Sequence, residues 1–178
     1  MSVVHRRELR KPDGRRLWLY GRAPIDPAIE APSPIDEAAQ HGNPHLRWHP
    51  LREEWVAYAA HRQSRTFLPP PEYNPLAPTV PGRPPTEVPS GDYDVAVFEN
   101  RFATLRADAH DPPRSIVPTA PARGACEVVV FTQDPAGSLG GLPWAHVELI
   151  LSVWADRTRE LGARDDVAAV MPFENRGV

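Results

Sequence analysis

The chain has 178 residues, a formal net charge of −3 and a single cysteine, Cys126. That length supports one ordinary domain with its own core. The charge balance gives no bulk electrostatic case for nucleic acid or an anionic membrane, and one cysteine excludes an internal disulfide and fits the cytoplasm. No apolar run is long enough to span a bilayer, and the basic start has no apolar segment behind it, so it does not read as a secretory signal.

In chain order, residues 1–10 are charged and read as frayed. Lys11-Pro12-Asp13-Gly14 is a turn, and residues 16–20 follow as a strand. Residues 23–34 carry Pro24, Pro27, Pro32 and Pro34, which exclude regular structure beyond a short turn. A proline turn at 49–52 then leads into an apolar and aromatic run, 55–60. As a strand, that run places Trp55, Ala57 and Ala59 on one face and Val56, Tyr58 and Ala60 on the other. It ends in His61, Arg62 and Arg65. Two guanidinium forks at a strand end suit a phosphate, against the plainer reading of a solvated loop face.

Residues 68–89 form a second proline-rich connection, extended but neither helix nor central strand. Residues 92–98 alternate as a strand, and a third proline loop fills 106–122. Arg123-Gly124 then opens the apolar run 125–132, which reads as a strand buried on both faces. Cys126 lies at its start and is read as a small core residue. The long helix is 143–161, with Val147, Ile150, Leu151, Trp154 and Leu161 as its apolar stripe, Pro143 in the first turn and Gly162 as the stop. Residues 167–173 are a last strand candidate, confined to an edge by Pro172. The fold class is α+β, a mainly antiparallel sheet with one long helix.

Arg47-Trp48-His49-Pro50-Leu51, then Glu54-Trp55-Val56, then His61-Arg62 and Arg65 together resemble the opening of the galactose-1-phosphate uridylyltransferases, a branch of the histidine-triad superfamily. Phe98-Glu99-Asn100-Arg101-Phe102 is similar to the family's Phe-x-Asn-x-Phe segment, although Arg101 stands where the family commonly has Asp. Phe173-Glu174-Asn175-Arg176-Gly177 is similar to its Phe-Glu-Asn-Lys-Gly. The resemblance implies a histidine-triad-like half-domain at 47–178, preceded by an extension at 1–46. It implies substrate contacts from Arg62, Arg65, Asn100, Arg101 and Asn175 to UDP-glucose or UMP. On composition alone, Asn100 is a turn residue just past a strand.

The resemblance also shows what is missing. The family's ping-pong transfer of UMP needs the second histidine of an Asn-Pro-His-Pro-His-Gly-Gln stretch as nucleophile, and the seven histidines here form no such motif. His45 and His49 are four apart, but Pro50 and the lack of a helical stripe argue against a shared face. The family's zinc positions fall on Asn74, Ala77 and near Pro135, none of which suits zinc, so no cofactor is expected. The chain therefore reads as the N-terminal portion of such an enzyme, inactive alone. Its implied partners are a complementary C-terminal chain or, through exposed apolar surface, a second copy. A non-catalytic uridine-nucleotide-binding remnant, a structural subunit of a split enzyme and a related adenylyl-type phosphorylase stay open.

Overall fold

The computed structural model describes residues 4–32, 42–60 and 73–174. Among the described residues, seven strands run in chain order: β1 His5–Arg10, β2 Arg16–Gly21, β3 His45–His49, β4 Glu54–Tyr58, β5 Val95–Glu99, β6 Thr119–Pro121 and β7 Glu127–Val130. A short 3₁₀ turn, Leu139–Gly141, precedes the helix α1, Trp144–Gly162. All pairings between these strands are antiparallel, in a four-stranded sheet of order β1-β2-β5-β7 and a three-stranded sheet of order β4-β3-β6. The expected α+β class holds.

The four-stranded sheet is covered on both faces. Leu17, Leu19, Ala96 and Phe98 point to one side, where Ile29, Val88 and Tyr93 from the proline-rich connections close over them. Trp18, Tyr20, Val95 and Val97 point to the other, against Leu149, Ile150 and Val153 of α1. Period-two alternation with both faces buried explains why β2 is apolar at every step from Leu17 to Tyr20.

Several expectations need correction. Residues His5–Arg10 are not frayed. They pair with β2 along their whole length, and their charges are those of an edge strand, with Arg6 reaching Asp156 at 3.0 Å and Glu160 at 2.6 Å on α1. The strands buried on both faces are β2 and β5; β7 is at the sheet edge and only half-buried. Residues 167–173 form no strand: no strand among the described residues pairs with them, and Met171 and Phe173 are exposed. The strand expected at 55–60 spans Glu54–Tyr58, and the hairpin partner β3 had no sequence signal of its own. On that strand His45 and His49 do share a face, because positions four apart in a β-strand point the same way.

The helix forms where expected, one residue later at each end, with Pro143 at its N-cap. Its buried face differs: His146, Leu149, Ile150, Val153 and Arg157 face the sheet, whereas Leu151 is exposed. The expected stripe excluded the two polar positions, and both find partners inside. His146 Nε2 lies 2.6 Å from the Phe131 carbonyl oxygen, and Arg157 donates two hydrogen bonds to Glu127. No helix among the described residues is long and apolar enough to cross a membrane.

Candidate functional site

A cleft of about 330 Å³ opens at the end of β5. Its walls come from four places: the β1–β2 turn (Asp13, Arg15), the segment leaving β5 (Glu99 to Asp108), the entry to β7 (Gly124 to Cys126), and Arg164 just past α1. Asn100 and Arg101, adjacent in the chain, both line this cleft. Arg62, Arg65 and Asn175 lie outside the described residues.

Asn100 is fixed twice. Its backbone N–H donates to the Cys126 carbonyl at 2.8 Å, and its Oδ1 accepts the Phe102 N–H at 2.9 Å. The side-chain oxygen closes an Asx turn and leaves the amide nitrogen outside that turn. Arg101 places its Nε 3.3 Å from Glu87 Oε1 and its guanidinium 4.9 Å from the centre of the Phe102 ring. Arg101 thus meets a buried carboxylate from a distant loop.

Glu87 gathers more than Arg101. Lys11 Nζ and Arg15 Nη2 reach its Oε2 at 2.7 and 2.9 Å. Burial pushes the Lys11 ammonium below the usual lysine range, against the pull of Glu87. Arg15 is further tied to Asp13 through Nε at 2.7 Å and to the Glu99 carbonyl through Nη1 at 2.8 Å. On the opposite wall, Arg106 forks onto Asp108 at 2.8 and 2.7 Å, and that pairing holds the Asp108 carboxyl below its ordinary range. Arg164 forks onto Asp166 in the same way, at 2.8 and 2.6 Å. Among the described residues, four arginines line the cleft against three carboxylates, Asp13, Glu99 and Asp108.

The loop at Gly124 shapes the floor. Gly124 has φ +150°, and a Cβ there would lie 3.1 Å from Leu105 Cβ. The Arg123-Gly124 pair thus turns the chain into β7 at a close approach. Cys126 is half-buried and lines the cleft, with Sγ 3.6 Å from Thr104 Oγ1. It is a wall residue of the cleft, not the buried core residue expected.

The sequence reading missed Asp13, Arg15, Glu87, Arg106 and Arg164. A signal existed for most of them: Asp13 and Arg15, Arg106 and Asp108, Arg164 and Asp166 are opposite charges two residues apart at chain turns. Glu87, inside a proline-rich stretch read as a surface connection, had no such signal. None of the described histidines lines the cleft. Asn74 Oδ1 accepts the Leu76 N–H at 2.9 Å, the Ala77 N–H donates to the Asn74 carbonyl at 3.1 Å, and Ala77 and Pro135 carry no ligating side-chain atom. Among the described residues, no cluster of three His, Cys, Asp or Glu could hold a metal ion.

The comparisons with known proteins agree with this architecture. A solved structure described as a uridylyltransferase superposes with a TM-score of 0.50 at 24% identity, over 65% of this chain and 34% of that one. Galactose-1-phosphate uridylyltransferase of Thermotoga maritima is 39% identical over 137 residues, covering 74% of this chain and 41% of the relative. The enzyme of Streptomyces lividans is 40% identical over 65% of this chain and 28% of the relative, and that of Rattus norvegicus 35% identical over 75% and 38%. The chain thus spans about two fifths or less of these relatives' lengths. The family model for the galactose-1-phosphate uridyl transferase N-terminal domain matches residues 33–178, most of the sequence, and the chain belongs to that family.

Proposed function

We propose that this chain is the N-terminal portion of a UDP-glucose–hexose-1-phosphate uridylyltransferase and that its cleft holds part of the UMP moiety during uridylyl transfer. The observation that carries the proposal is the placement of Arg15, Arg106 and Arg164 in one cleft with Asn100 and Arg101 at the end of β5. The Asn100 amide suits a uracil or ribose edge, and the surrounding guanidinium groups suit phosphate oxygens. Arg62, Arg65 and Asn175 complete the set of substrate contacts in this reading.

The covalent step needs an imidazole that attacks the α-phosphorus, takes UMP as a phosphoramidate and expels the sugar phosphate. No histidine of this chain is assigned that role. His146 faces the Phe131 carbonyl on the helix side of the sheet, and His45 Nε2 accepts from Arg47 Nε at 2.9 Å. The proposed nucleophile belongs to a complementary C-terminal portion, so the chain alone binds nucleotide and does not turn it over. No zinc takes part in this scheme.

Calorimetry with UMP tests the proposal. The chain is expected to bind UMP, and Arg62→Ala to cost about 1.5–3 kcal/mol, the range for a hydrogen bond to a charged group. Binding without loss in the variant counts against the phosphate role of Arg62. Stable labelling of the chain itself from UDP-glucose carrying radioactive α-phosphorus overturns the assignment of the nucleophile.

A further inference from the structure

Glu87 is an unusual group for a connecting loop. Its side chain is 6% exposed, the Lys11 side chain that meets it is fully buried, and Arg15 and Arg101 meet the same carboxylate. With Asp13, which pairs with Arg15, the cluster holds three cations (Lys11, Arg15, Arg101) around two carboxylates (Glu87, Asp13). Lys11 turns away from the cleft, donating to the Glu87 carbonyl and lying 4.9 Å from the centre of the Phe98 ring. Arg15 and Arg101 line the cleft. The carboxylate therefore spans the two sides: Oε2 serves Lys11 and Arg15, and Oε1 serves Arg101.

Its placement is fixed by the loop that carries it. The Glu87 N–H donates to the Pro75 carbonyl at 2.9 Å. The Thr86 hydroxyl donates to the Ala77 carbonyl at 2.6 Å. The Val88 carbonyl accepts the Thr79 N–H at 2.9 Å. The residues on either side of Glu87 are thus pinned, and the carboxylate is delivered to one place. A guanidinium held this way loses little freedom when it meets an anion, which is the general advantage of preorganised donors.

We infer that Glu87 is a positioning residue for the cleft, orienting Arg15 and Arg101 so that this wall receives the phosphate of a nucleoside monophosphate. The inference rests on the nucleotide reading above and adds to it a residue that touches no ligand. A purely structural Glu87, present only to neutralise Lys11, would leave phosphate recognition untouched whenever the fold survives.

The test is calorimetry of the full chain with two probes, UMP and uridine. Lys11→Met combined with Glu87→Gln removes one buried charge of each sign, so the charge balance of the core is kept. Cooperative melting is expected to persist, UMP affinity to fall roughly ten- to hundred-fold, and uridine affinity to stay unchanged. Glu87→Asp keeps the charge but draws the carboxylate back by one methylene, and the same split between UMP and uridine is expected from it. It decides the matter should the double variant fail to fold. Equal losses on both probes, or no loss on UMP, overturn the inference while the nucleotide reading stands. Failure of the unaltered chain to bind either probe overturns the nucleotide reading itself, and this inference with it.

Discussion

The Arg157 guanidinium lies 3.7 Å from the centre of the Trp18 ring. It is pressed between the sheet and the helix while its Nε and Nη2 fork onto Glu127 at 2.9 and 2.7 Å. Trp18 is fully buried and Arg157 only 4% exposed. One side chain thus ties three elements, β2, β7 and α1, on the side of the sheet opposite the proline loops. Placing a cation there tolerates burial only because the partner carboxylate and the ring face are both present.

Arg157→Ala leaves Glu127 buried without its partner. The expected loss is about 3–5 kcal/mol of unfolding free energy, read as a shift in the urea midpoint. Adding Glu127→Gln recovers part of it, since the uncompensated charge is then gone. A loss under about 1 kcal/mol for the single variant, typical of an exposed pair, contradicts the buried geometry.

Asn100 closes an Asx turn, and the proposed function gives it a second role as an amide donor to the nucleotide. Asn100→Asp keeps an oxygen for the Phe102 N–H and so keeps the Asx turn, but it removes the amide donor and adds a negative charge. Its melting temperature is expected to stay near that of the parent while UMP binding is lost. Asn100→Ala removes the turn as well, and both stability and binding fall, the former by about 0.5–1.5 kcal/mol. If Asn100→Asp binds UMP as the parent does, the side chain is a turn residue and nothing more.

How much of this was legible in the sequence depends on what each residue needs. The β2 and β5 strands and the helix announce themselves, because burial of whole faces leaves a periodic apolar record. Strand β1 does not: its alternating Arg and Glu look like a frayed terminus until β2 and α1 supply partners. The helix face was misjudged at His146 and Arg157, where polar groups are buried through partners far away in the chain. The cleft was half legible. Asn100 and Arg101 were marked by resemblance, but Glu87 reaches the site only through folding of a loop that local pattern describes as a plain connection. Long-range charge pairing leaves no periodic trace.

Gly124 makes a different kind of demand. At φ +150° with Leu105 Cβ only 3.1 Å from where a Cβ would stand, Gly124→Ala meets both backbone strain and a collision. A destabilisation of about 1–3 kcal/mol is expected. Combining it with Leu105→Ala removes the Cδ1 and Cγ contacts at 3.3 and 3.7 Å and so recovers part of the collision, while the backbone strain remains. A fully additive pair of losses in denaturant titrations argues that the close approach is absent.

The Arg106–Asp108 fork ties cleft geometry to pH. Hydrogen bonds from Arg106 hold the Asp108 carboxyl below its ordinary value of 3.8. The folded state therefore releases this proton more readily than the unfolded chain. Its contribution to stability is fully present above about pH 4, and it is lost as pH falls through the lower folded value. Because the Asp108 side chain is 70% exposed, solvent screening keeps that contribution within about 0.2–1 kcal/mol, so global melting is the wrong measurement. The carboxyl carbon of Asp108, followed by NMR through an acid titration, is expected to show a midpoint below 3.8. In Arg106→Gln, with the cation gone, that midpoint moves back up. Should it stay where it was, Arg106 is not what holds the carboxylate, and the wall of the cleft is arranged differently from the fork seen here.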